Sequence, residues 1–80
     1  MKWFDIWCED YESLIETAVR NIQSDLAAGY NPHGQSIMQS NETLKEFKVR
    51  YAQGLETFKT MDDKAVDRWC YYDLKKRGAI

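Results

Sequence analysis

The pattern Asp-x-Trp-Cys occurs twice in this 80-residue chain, as DIWC at residues 5–8 and DRWC at residues 67–70. The two copies hold both cysteines, Cys8 and Cys70, and two of the three tryptophans. Thiolates grouped with imidazole or carboxylate would hold zinc, and paired thiols would cycle through a disulfide. A closed zinc site takes four ligands. Two cysteines and the single histidine, His33, fall short unless carboxylates or a second chain complete the set. Neither cysteine belongs to a C-x-x-C pair, the spacing of thioredoxin-like redox motifs. A Cys8–Cys70 disulfide stays open, because both residues would lie in the N-terminal halves of parallel helices. The plainer reading, which the missing ligands favour, makes each cysteine a small buried hydrophobe beside a tryptophan. The Asp of each copy, half a helical turn before its tryptophan, would then face solvent.

His33 lies in a Pro-His-Gly stretch and has a side chain suited to general base chemistry near neutral pH. Catalysis would also need a nucleophile, an orienting partner and an oxyanion donor, and no motif supplies them. The four glycines (29, 34, 54 and 78) are scattered rather than gathered into a phosphate loop. The acids Glu9, Asp10 and Glu12 are close enough to attract a cation, but near a helix start they serve the helix dipole. These observations argue against an enzyme and give no catalytic, cofactor-binding or metal-ligating residues.

Chemistry of another kind is concentrated in RWCYYDLKKR, residues 68–77. Consecutive residues on a helix point about 100° apart, so a small bundle cannot hide all of Trp69, Cys70, Tyr71 and Tyr72. At least one tyrosine belongs on the surface, with Arg68, Lys75, Lys76 and Arg77 nearby. Tyr, Trp and Arg dominate the energetics of protein–protein interfaces. Bases mixed with aromatics also bind single-stranded nucleic acid by stacking and phosphate contacts. The segment Trp3, Phe4, Ile6, Trp7 likewise covers more than one helix face, and large exposed apolar patches mark interaction sites or homodimer seams. The candidate partner-binding set is therefore Trp3, Phe4, Trp7, Arg68, Tyr71, Tyr72, Lys75, Lys76 and Arg77.

Three helices must position these residues. Apolar or small residues at 3/4, 7/8, 11, 14/15, 18/19, 22 and 26 trace one stripe, which predicts a helix near 5–28. A strand or an extended arm at KWFDIWC is the competing reading for its start. Gly29 followed by Pro32 stops this helix. Residues 30–40 read as a loop, in which SIMQ offers one capped turn. A second helix near 41–60 carries Leu44, Phe47, Tyr51, Leu55 and Phe58, and Ile37, Leu44, Tyr51 and Phe58 are a heptad apart. Gly54 inside it costs about 1 kcal/mol relative to Ala, which a close helix crossing or a bend would explain. A third helix near 62–77 opens on Thr60 or Asp62 as cap and closes on KKRG, with Gly78 at the C-terminal stop. The short link predicts an antiparallel hairpin of the second and third helices. The fold class is all-α, a compact three-helix bundle forming one domain.

Composition bounds the rest. Hydrophobic residues make up 44% of the chain and charged residues 30%, too apolar for disorder. The net charge of −2 is uneven. Residues 1–26 hold six acids against Lys2 and Arg20, and the remainder is mildly basic. That balance does not by itself predict nucleic-acid binding. No apolar run reaches membrane-spanning length and no signal peptide is evident, so a cytoplasmic protein is expected. The functional expectation is a small non-enzymatic interaction module: an inhibitor, adaptor or regulator docking on a larger protein. Inhibitors of host enzymes or defence systems carried by phages and mobile elements share this character, by analogy of class. A second copy of the chain is another occupant the patch would accept. The alternative is a nucleic-acid-binding or transcription-regulating protein using the third helix.

Overall fold

The computed structural model describes all 80 residues and contains three helices: α1 (Lys2–Ala27), α2 (Gln35–Phe58) and α3 (Asp63–Lys76). They form an all-α three-helix bundle with α1 as its axis, since α2 and α3 both pack on α1 and touch each other little. The expected hairpin of α2 and α3 is therefore a splayed one. Their contact is concentrated near the turn, where the rings of Phe58 and Trp69 meet edge-on at 5.2 Å. The splay follows from α1, whose aromatic residues wedge between the other two helices.

Two helix starts differ from the sequence expectation. α1 begins at Lys2 rather than near residue 5, and the strand or arm reading is excluded. No side chain of its own first turn caps it. Instead the backbone N–H groups of Trp3 and Phe4 donate to Asp67 Oδ1 on α3, at 2.8 and 3.0 Å. Asp67, expected in solvent, thus supplies the cap from 64 residues away. α2 begins at Gln35 rather than near 41, so most of the expected 30–40 loop is helix. The cause is Ile37, only 2% exposed. It starts the heptad that runs on through Leu44, Tyr51 and Phe58, and burying it against α1 outweighs the loop-forming residues around it. Gly34 occupies the cap position and the SIMQ capping box does not form.

The remaining ends follow local chemistry. Gly29 and Gly78 take φ of 95° and 76° just beyond α1 and α3, where a residue without Cβ is favoured. Asp62 caps α3, its carboxylate accepting the Ala65 N–H at 2.8 Å. Lys75 and Lys76 lie in the last turn of α3, where cations suit the dipole.

The core sits at one end. Trp7 is fully buried and meets Tyr11, Phe58, Tyr51 and Trp69 with ring centroids 4.9, 5.0, 5.4 and 6.1 Å away. Val66, Cys70 and Leu74 close this cluster from α3. α3 is shorter than its neighbours, so the second half of α1 and the first half of α2 project as a two-helix hairpin around Ile22 and Ile37. The molecule is accordingly long, 47 × 22 × 17 Å.

Candidate functional site

The two Asp-x-Trp-Cys copies divide their roles. In the first, Trp7 is core and Cys8 is half-buried; in the second, Cys70 is fully buried while Trp69 is 40% exposed. Both cysteines are free thiols. Burial pushes the Cys70 thiol up to about 12, with the nearby Cys8, Asp67 and Asp73 adding in the same direction. Burial raises Cys8 as well, against a hydrogen bond with Tyr51 that lowers it. Neither is a thiolate near neutral pH. His33 is exposed in the turn between α1 and α2, at the other end of the molecule from the aromatic core. No group of three or more His, Cys, Asp or Glu side chains gathers in metal-binding proximity.

Of the nine residues predicted to meet a partner, four converge. Trp3, Arg68, Tyr71 and Tyr72 line an open groove of about 530 Å³ along the seam between the start of α1 and the first three turns of α3. Met1, Asp63, Lys64 and Asp67 complete it. The parallel course of α1 and α3 creates this seam, and the Asp67 bonds to the α1 backbone fix its width. The three rings form a chain of edges: Trp3 meets Tyr71 at 4.9 Å and 63°, and Tyr71 meets Tyr72 at 5.4 Å and 70°. Tyr72 is 62% exposed, the most of any large apolar side chain in the molecule. Lys2 and Lys75 place their ammonium groups 4.8 Å and 5.8 Å from the ring centres of Trp3 and Tyr71.

The other predicted residues are placed differently. Phe4 is half-buried and turns inward, edge-on to Phe58 at 5.9 Å. Trp7 is inaccessible, because its indole fills the space above Gly54 and its Nε1 donates to Asp73 Oδ2 at 2.8 Å. Arg77 is engaged within the fold. Its Nη1 donates to Asp10 Oδ2 at 2.7 Å, its Nε to Asp73 Oδ2 at 3.0 Å, and its guanidinium lies 4.3 Å from the Tyr11 ring centre. Those two carboxylate bonds raise its pKa despite the opposing effect of burial. Lys76 faces a second, more polar groove between α2 and α3, alongside Arg50, Gln53 and Trp69.

Sequence reasoning missed Lys2, Asp63, Lys64 and the surface position of Trp69. A signal existed for Lys64, which lies four residues before Arg68 and so shares its face. For Trp69 the crowding of four bulky residues in a row put at least one on the surface without saying which; both it and Cys70 were expected in the core, and only Cys70 is buried.

Comparison with known proteins finds no matching family, no matching curated relative and no matching solved structure.

Proposed function

We propose that this chain is a small non-enzymatic interaction module. It docks on a larger protein through the Trp3–Arg68–Tyr71–Tyr72 groove and acts there as an inhibitor, adaptor or regulator. The observation that carries this reading is the convergence itself. Four of the residues singled out by type lie on one open surface, with the most exposed aromatic side chain at its edge. Aromatic residues flanked by arginine are the usual energetic centre of such interfaces. An accessory inhibitor of a host enzyme or defence system, of the kind phages and mobile elements carry, is the biological form that suits a single docking face.

The nucleic-acid alternative draws on Lys75, Lys76 and Arg77. Arg77 is held by Asp10 and Asp73 and Lys76 faces the other groove, so only Lys75 of that trio lies beside the tyrosines. The test is capture of partners from lysate of the cells in which the chain is naturally produced, using the wild type and Tyr72→Ala. The reading predicts one protein partner retained at 0.5 M salt and lost with Tyr72→Ala. Retention only of nucleic acid, falling steeply with salt, would support the alternative instead.

A further inference from the structure

We infer that the occupant of the groove is an acidic peptide segment of the partner, with an apolar or aromatic side chain seated among Trp3, Tyr71 and Tyr72. The inference rests on the docking reading above and adds the chemistry of what docks.

Charge carries it. The chain as a whole is acidic, at −2, yet this face is basic. Lys64 and Arg68 line the groove, and Lys2 and Lys75 flank it over the rings of Trp3 and Tyr71. None of these four cations forms an ion pair within the molecule, as is also true of Lys45, Lys48 and Lys76, whereas Arg20, Arg50, Lys59 and Arg77 are paired. Two acids share the lining, Asp63 and Asp67. Asp67 keeps its charge while accepting from the α1 backbone, so two acids on the lining face four bases on and beside it. Electrostatic complementarity of this kind steers encounter and suppresses wrong partners.

Ring geometry separates a peptide from a nucleic acid. Single-stranded nucleic acids bind by laying bases flat on aromatic faces. Here Trp3, Tyr71 and Tyr72 meet edge to face, at 63° and 70°, and so present no row of parallel platforms. Lys2 and Lys75 also each stand over one face of Trp3 and Tyr71. An aliphatic or aromatic side chain needs only the apolar groove wall that the three rings form together. Flanking carboxylates then reach the ammonium groups and Arg68 without displacing anything.

The test is selection from a random 12-residue peptide display library against the full chain, followed by solution titration of the selected peptides. Two variants, Tyr72→Ala and the double Lys64→Glu/Arg68→Glu, change exposed side chains, and circular dichroism checks their folding. The expected result is enrichment of peptides with two or more Asp or Glu around an apolar residue. Their affinity should fall about tenfold or more with either variant, a change of 1.4 kcal/mol or more by the standard conversion. Peptides that need Tyr72 but show no acidic enrichment, or bind the charge-reversed variant equally well, would overturn the inference and leave the docking reading standing. Selecting no peptide that depends on Tyr72 would overturn both. A 12-nucleotide oligo-dT that binds more tightly than the best peptide, and loses that binding with Tyr72→Ala, would make the face a nucleic-acid surface.

Discussion

Gly54 shows how one residue decides the packing of this small core. A Cβ built there would lie 2.6 Å from Trp7 Cη2 and 2.7 Å from its Cζ2. The indole cannot retreat. It is enclosed by Tyr11, Tyr51, Phe58 and Trp69, and its Nε1 is tied to Asp73. Gly54→Ala improves helix propensity by about 1 kcal/mol, but overpacking of this kind costs more. We expect a net loss of about 2 kcal/mol, measured as a lower urea midpoint with an unchanged slope. A gain in stability would show that α2 does not approach Trp7 this closely. The glycine was legible as a sign of a helix crossing or a bend, and the crossing is what it serves. Burial of individual aromatic residues was not legible in the same way. Trp3, Trp7 and Trp69 look alike in sequence, yet one is in the groove, one is fully buried and one is 40% exposed. Residue type sets what burial is worth; rotation about the helix axis sets who receives it. Arg77 makes the same point for charge: Asp73, four residues before it, is a local partner, but nothing local marks Asp10 as the second carboxylate that holds it.

At the scale of the elements, helix ends set by neighbouring residues were readable and those set by distant ones were not. Gly29, Gly78 and the Asp62 cap act within a few residues of the ends they define. The start of α1 depends on Asp67, which lies on another helix, so no local signal announces it. The start of α2 was signalled by the heptad spacing of Ile37 from Leu44, but the Pro and Gly before it read more strongly as loop. Asp67 also ties fold to site, because the same carboxylate that caps α1 holds the two walls of the groove together. Asp67→Ala should cost about 1–2 kcal/mol, the usual range for a lost cap, and fray the first turn of α1. Asp67→Asn, which still accepts hydrogen bonds, should recover most of that. Chemical denaturation measures the cost, and amide hydrogen exchange at Trp3 and Phe4 reports the fraying. Equal behaviour of the two variants would mean the carboxylate's charge, rather than its acceptor oxygen, is what α1 requires.

At the scale of the whole molecule, two surfaces differ in character. One end presents the aromatic groove with its four unpaired cations. The other is the α1–α2 hairpin, which exposes Leu26, Tyr30 and Met38 and carries ion pairs such as Arg20 with Glu16. No helix is long and apolar enough to cross a membrane. The docking proposal puts partner contact at the α1–α3 end. Tyr72 and Met38 allow a matched comparison, being 62% and 56% exposed at opposite ends of the fold. The most direct measurement is photo-crosslinking in cells, with a benzophenone amino acid in place of Tyr72 in one variant and of Met38 in another. The docking proposal predicts a discrete protein adduct from position 72 and none from position 38. An adduct formed at position 38 with none at 72 would contradict it.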